Sequence, residues 1–232
     1  MRLPVSRLIL AALLAAAAIP VSLAFPRKPK SDLAQVLARM NDAAKRLKTV
    51  KANLDYTTVT VLVNDRETEH GQFLFENPKN PEILINFTNP DSKTFLYRHN
   101  EAQIYYPKLN RIEQYNLQRQ SGLIQQFLLL GFGTDANALK SNYEVSMLDE
   151  EDLQGESTIV LQLIPRQPDV KSQLTKIQLW VSEDSWLPAQ QQFYEPDGDY
   201  LIAHYTDVKV NRPLPGSTFH LDAPNAQRVK KN

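Results

Sequence analysis

Between Gly71 and Leu117 large apolar residues alternate with polar ones in five short runs, Gln72 to Phe75, Ile83 to Phe87, Lys93 to Tyr97, Gln103 to Tyr106 and Arg111 to Tyr115. A period of two places alternate side chains on opposite faces, so each run predicts a strand with one apolar face. A β-branched stretch from Val50 through Thr57 to Val63 predicts a longer strand before them. Further strands are expected over Tyr143 to Leu148, Ser157 to Ile164, Leu174 to Ser182, Pro188 to Tyr194 and Tyr200 to Val210. Turn signals separate them: Glu150-Glu151-Asp152 with Gly155, Pro165 with Pro168, and Pro196-Asp197-Gly198.

Helical spacing appears in two places. Leu33, Val36, Leu37, Met40, Ala44 and Leu47 recur at three- and four-residue steps, with Ser31 as a candidate N-cap and Asp32 suited to the first turn. From Ser121 to Leu130 only Gln125 and Gln126 are polar, which makes this segment too apolar for a surface helix and too short to span a membrane. Gly131-Phe132-Gly133 then ends it, as a simple cap or as a hinge, and Ala136 to Ser141 adds a further helical turn. The pattern predicts a mainly β protein with a few helices (α+β), its roughly ten or eleven antiparallel strands forming one sheet curled into a partial barrel. There is no internal repeat and no sign of a second domain, so residues 31–224 are expected to form one domain.

The first residues change the setting. Arg2 and Arg7 precede an apolar core from Leu8 to Ala18, and Ser22 and Ala24 stand where a signal peptidase reads small residues. Residues 1–24 are therefore expected to be a cleaved export signal and 25–30 a flexible leader. An exported chain often carries disulfides, but this one has no cysteine, so its stability must come from a buried core. It also lacks the Cys that would carry lipid on a bacterial lipoprotein.

Charge excludes one class of partner. The chain has 26 basic and 26 acidic residues, and loss of Arg2 and Arg7 leaves a charge of about −2. Basic residues are dispersed and form no stripe with interleaved aromatics, which argues against nucleic acid. Residues 225–232, with Arg228, Lys230 and Lys231, read as a solvated basic tail.

Catalytic constellations are missing. His70, His99, His204 and His220 are scattered, with no pair at the spacing of a helical zinc site. No Gly-x-Ser-x-Gly elbow is present, and Ser121 reads as an N-cap rather than a nucleophile. Asp149 to Asp152 lacks the spacing and central glycine of a calcium loop and reads as a solvated hairpin tip. With seven glycines in all, the chain has no phosphate-cradling loop. Neither a metal nor a cofactor is expected, and no enzyme activity.

The order of features resembles the periplasmic outer-membrane lipoprotein carrier (LolA) family. After the export signal come an amphipathic helix ending in Leu47-Lys48-Thr49-Val50-Lys51-Ala52-Asn53-Leu54, and then Gly71-Gln72-Phe73-Leu74-Phe75-Glu76-Asn77-Pro78-Lys79. Ile104-Tyr105-Tyr106-Pro107, Arg111-Ile112-Glu113-Gln114-Tyr115 and Phe219-His220-Leu221-Asp222-Ala223-Pro224 continue the likeness to the end of the domain. The resemblance implies an unclosed, strongly curved antiparallel β-barrel with helices over its open side and an apolar cavity within. It implies a monomeric periplasmic shuttle, which takes the acylated N-terminus of a lipoprotein from an inner-membrane ABC-type release complex and hands it to a lipid-anchored outer-membrane receptor. A carrier of another lipid or glycolipid, and a periplasmic lipoprotein or lipid sensor, are alternatives that use the same cavity.

On this resemblance the cavity wall is expected to include Phe73, Phe75, Ile83, Ile85, Phe87, Phe95, Tyr97, Leu161, Leu163, Leu179 and Phe193, with Leu123, Ile124, Phe127 and Leu128 as a movable lid. The competing expectation is that these residues fill an ordinary core. An apolar pocket of several hundred Å³ discriminates the two. Two departures stand out: Asn77 replaces an Arg found before the proline in several carriers, and His99-Asn100 replaces an Asp-Gly turn.

Overall fold

The structure, a computed structural model, describes residues 32–76, 81–117, 130–134 and 136–231. Twelve strands form one sheet in the order β12-β6-β5-β4-β3-β2-β1-β11-β10-β9-β8-β7. They are β1 (Thr49–Thr60), β2 (Asp65–Glu76), β3 (Glu82–Asn89), β4 (Lys93–Arg98), β5 (Glu101–Tyr106), β6 (Arg111–Asn116), β7 (Tyr143–Leu153), β8 (Glu156–Pro165), β9 (Lys176–Ser182), β10 (Pro188–Tyr194), β11 (Tyr200–Val210) and β12 (Gln227–Lys231). All neighbours run antiparallel except β12 and β6. The end strands β12 and β7 do not pair with each other, so the barrel stays open. Among the described residues three α-helices accompany the sheet: α1 (Leu33–Arg46), α2 (Ala136–Asn142) and α3 (Pro168–Lys171).

Alternation sorts the β2 to β6 side chains as expected. Phe73 lies opposite Ile85, which lies opposite Phe95; Phe75, Ile83 and Tyr97 form a second row on the same face. Leu74, Leu84, Leu96 and Ile112 point the other way, where Phe219, Leu221 and Ala223 cover them. Gly71 makes a close approach possible at the bulge between β2 and β3, because a Cβ there would sit 2.6 Å from the Asn86 carbonyl oxygen. His99 and Asn100 both take positive φ, 50° and 59°, and close the two-residue turn from β4 to β5. The departure from Asp-Gly at this turn therefore preserves its geometry, since Asn tolerates the left-handed region.

Helix α1 lies against the same face as Phe73 and Phe75. Its N-terminal Val36, Leu37 and Met40 pack with Ile159, Leu161, Leu163, Ile177 and Leu179, while Ala43 and the following Leu47 join the cluster of Val50, Ala52, Phe73 and Phe75. One amphipathic stripe thus ties both halves of the curved sheet. Arg39 adds a cation–π contact, 4.7 Å above the Trp186 ring.

Three expectations need correction. The N-cap of α1 is Asp32 rather than Ser31, and its side chain makes no capping bond. Asp149 to Asp152 do not form a hairpin tip: β7 runs on to Leu153, and the turn is at Gln154-Gly155, where Asp152 accepts the Gly155 N–H at 2.7 Å. Charged residues suit this position because β7 is an edge strand, where charge blocks pairing with other chains. Finally, Gln227–Lys231 form a strand rather than part of a solvated tail. They add the twelfth strand by pairing with the otherwise free edge of β6, and Lys231 reaches Glu113 at 3.5 Å.

Candidate functional site

The inner face of β8 to β11 carries a row across the sheet, Leu161 to Leu179 to Gln191 to Ala203, which continues to Tyr56 on β1. A parallel row runs Leu163, Ile177, Phe193, Leu201. Where these rows meet β1 and β2, they enclose a pocket of about 520 Å³. Its walls come from Leu54, Tyr56, Phe73, Ile85, Phe193, Leu201, Ala203 and Tyr205, with Leu174 after α3 closing one side. Ser172, Gln173, Glu195 and Pro196 add the more polar part of the lining. Such a space is large enough for a small apolar ligand and lies within the range of ordinary binding sites.

Two buried polar groups form part of the lining. Tyr205 donates its hydroxyl hydrogen to Gln191 Oε1 at 2.9 Å, and Gln191 Nε2 donates to the Leu130 carbonyl oxygen at 2.5 Å. This satisfies both groups away from water, as their burial requires. Burial, and then the neighbouring Tyr56, raises the Tyr205 pKa, so the phenol stays protonated and remains a donor.

The pocket is backed by aromatic packing. Phe132 stands with its ring centroid 5.0 Å from that of Phe73 and 5.1 Å from that of Tyr205, and 6.2 Å from that of Phe75. Phe132 is held by an unusual backbone. Gly131 takes φ +81°, and a Cβ on it would meet Pro188 Cγ at 2.5 Å, so only glycine fits there.

Charge gathers on one side. Glu195 belongs to the lining, and Asp197 and Asp199 follow it in the turn between β10 and β11. Desolvation raises the Glu195 pKa, and repulsion from Asp197 and Asp199 adds to it. Tyr56 is pushed up to about 12 by burial, with Glu69 and Glu195 contributing. Asp199 accepts the Val61 N–H at 2.8 Å and so fixes the β1–β2 turn against this acidic one.

The residues expected to form the cavity wall divide into two groups. Phe73, Ile85 and Phe193 line the pocket. Phe75, Ile83, Phe87 and Tyr97 are buried in the cluster around Phe73, with Phe95 half-buried against it, and Leu161, Leu163 and Leu179 are buried with α1. The expected lid residues Leu123, Ile124, Phe127 and Leu128 lie outside the described residues, as do Asn77 and Pro78. Leu54, Tyr56, Leu174, Gln191, Leu201 and Tyr205 line the pocket without having been expected there. Gln191 carried a usable signal: it shares the parity of Ala189 and Phe193 on β10, although three successive glutamines read as polar. Among the described residues no group of His, Cys, Asp or Glu is arranged to hold a metal ion, and no helix is long and apolar enough to cross a membrane.

A family model matches residues 79–211, more than half of the chain, and the chain belongs to that family, whose description reads "-like: Uncharacterized protein". No curated protein matches it. Among solved structures, an uncharacterized conserved protein from Thermus thermophilus is similar over 85% of this chain and 98% of its own, with a TM-score of 0.54 at 11% identity. MucB is similar over 84% of this chain with a TM-score of 0.53 at 15% identity, and this chain spans 65% of MucB. A LolA superfamily protein from Nitrosomonas europaea also matches, over 82% of this chain and 97% of its own, at 18% identity and a TM-score of 0.40. The likeness is one of fold. The chain shares with them an open, curved half-barrel.

Proposed function

We propose that this protein is an exported carrier that keeps the acyl part of a lipid or lipoprotein out of water. The observation that carries the proposal is the apolar pocket of about 520 Å³ on the inner face of the half-barrel. An acyl chain of about sixteen carbons loses roughly 0.8 kcal/mol for each CH₂ exposed to water, or about 12 kcal/mol in all, so it does not cross an aqueous compartment unshielded. Leu54, Phe73, Ile85, Phe193 and Leu201 offer the apolar surface that replaces the membrane. Tight binding would stall delivery, because long residence defeats a shuttle.

Lipoproteins are the cargo that the family resemblance suggests. On that basis the carrier works in the periplasm, receives its load from an inner-membrane ABC-type release complex and delivers it to a receptor at the outer membrane. Leu123, Ile124, Phe127 and Leu128 would serve as the lid, continuous with Leu130 and Phe132. The export signal over residues 1–24 is part of the same proposal.

A second reading has one observation in its favour: the similar protein MucB has been solved in complex with MucA, with a TM-score of 0.50 to this chain. A sensor of lipid or mislocalised lipoprotein would couple the pocket to such a protein partner. Native mass spectrometry of the protein purified from cells separates the two. A carrier arrives with a bound lipid or lipopeptide that organic solvent extracts, whereas a sensor arrives with a stoichiometric protein partner. Protein with neither bound, and unable to take up added lipid, contradicts the carrier.

A further inference from the structure

We propose that the pocket is a single-chain site, and that its ligand is an amphiphile with one acyl chain and a head group bearing an ammonium ion. The proposal deepens the acyl-carrier function above and rests on it.

Chain number follows from volume. A methylene occupies roughly the 30 Å³ share of a water molecule, so about 520 Å³ holds about seventeen carbons when completely filled. One chain of about sixteen carbons fits, and two need about twice the space. The walls do not give way easily. Behind Phe73 and Tyr205 stands the buried Phe132, with ring centroids 5.0 and 5.1 Å away. Behind Phe193 and Leu174 lie Leu161, Leu163 and Ile177, all buried. Widening the pocket for a second chain therefore means unpacking core.

Head-group chemistry follows from the polar part of the lining. Glu195 is the one charged residue among the described residues that line the pocket, and no described Lys, Arg or His accompanies it there. Its carboxylate has no hydrogen bond or ion pair with the described residues. Asp197 and Asp199 stand in the same turn, and Glu69 on β2 is bound to Lys93 at 2.7 Å. Among the described residues, Lys176 lies 4.2 Å from the Tyr194 ring centroid, and Lys171 is exposed before Ser172. An anionic head group meets repulsion here, and an ammonium ion meets Glu195. Tyr56 supplies the complement. Its hydroxyl also lacks a hydrogen-bond partner among the described residues, and because burial, Glu69 and Glu195 hold it protonated it can donate to an ester or phosphate oxygen beside the ammonium ion.

The same chemistry is present in a zwitterionic lysophospholipid and in a peptide whose first residue, a cysteine with a free amine, carries one acyl chain as an ester on a thioether-linked alcohol. Native mass spectrometry of the purified protein titrated with four probes tests the proposal: palmitoyl lysophosphatidylethanolamine, S-(2-palmitoyloxyethyl)-cysteinyl-serine, dipalmitoyl phosphatidylethanolamine and palmitate. At least one of the first two should bind one-to-one, about ten-fold or more tighter than palmitate and than the two-chain lipid. The tighter of the two identifies the source of the ammonium ion. Glu195→Gln should bring the preference over palmitate below about three-fold while palmitate still binds. Leu201→Trp, which fills the pocket, should weaken all binding, and circular dichroism checks that both variants fold. Equal binding of the two-chain lipid, or of palmitate, overturns the proposal and leaves the carrier function standing. Binding of none of the four overturns both.

Discussion

Tyr205 and Gln191, on neighbouring strands β11 and β10, share a buried hydrogen bond of 2.9 Å that places one amide between a phenol and the Leu130 carbonyl. The chain of donors links the pocket lining to the segment that follows the expected lid. Tyr205→Phe leaves Gln191 Oε1 without its donor, and should cost about 1–3 kcal/mol. Gln191→Leu strands both the phenol and the carbonyl and should cost at least as much. The double variant should lose less than the sum, because the two residues act in one network. Urea unfolding of the three variants checks this, and strict additivity contradicts the network.

Gly131 and Gly155 offer a matched comparison, since both take positive φ, +81° at the first and +94° at the second. Alanine at Gly155 meets open space and should cost only the left-handed backbone penalty, about 1–2 kcal/mol. Alanine at Gly131 carries this penalty and also drives its Cβ to within 2.5 Å of Pro188 Cγ. Thermal melts should therefore show a clearly larger loss for Gly131→Ala. Equal losses would mean that the Leu130 to Phe132 segment shifts freely.

The Glu195 carboxyl has a pKa raised above its ordinary value of 4.5, first by desolvation and then by Asp197 and Asp199. A group held above its unfolded value binds its proton more tightly when folded, so its contribution to stability is present below pH 4.5 and is lost as pH rises through the folded pKa. Glu195→Gln should thus remove a decline in stability on the alkaline side of 4.5 and leave the protein slightly more stable at neutral pH. Denaturation midpoints measured from about pH 3 to about pH 8 provide the check. A variant less stable at neutral pH than the parent contradicts this environment for Glu195.

Phe219 and Leu221 close the outer face of β2, β3, β4 and β6, where they are 6% and 8% exposed. Arg98 fixes this segment by donating to the Phe219 carbonyl at 2.8 Å. Phe219→Ala should cost about 3–5 kcal/mol, the range for a buried aromatic. Removal of residues 212–232 should expose Leu74, Leu84 and Leu96 together and cause self-association, visible in light scattering.

What could be read in the sequence depended on local patterns. Pro188–Tyr194 and Tyr200–Val210 were expected with their observed bounds, because proline and the Pro196-Asp197-Gly198 turn mark their ends. The wall residues Phe73, Ile85 and Phe193 followed from alternation and the family likeness. Gln227–Lys231 gave no such signal: the strand exists because β6 has a free edge more than a hundred residues earlier, and its own side chains are mostly exposed. Asp149 to Asp152 misled for a related reason, since charge in a row marks an edge strand as readily as a turn. The pocket itself depends on how far β1 sits from β10 across β11, a distance that no local pattern encodes.

Photocrosslinking tests the central claim most directly. A palmitoyl lysophosphatidylethanolamine with a diazirine near the end of its chain, irradiated with the protein and digested for mass spectrometry, should label peptides containing Leu54, Phe73, Ile85 or Leu201, and an excess of unmodified lipid should suppress the labelling. Labelling confined to outward-facing residues such as Leu62 and Leu148, or labelling that excess lipid does not suppress, would contradict an acyl chain inside the half-barrel.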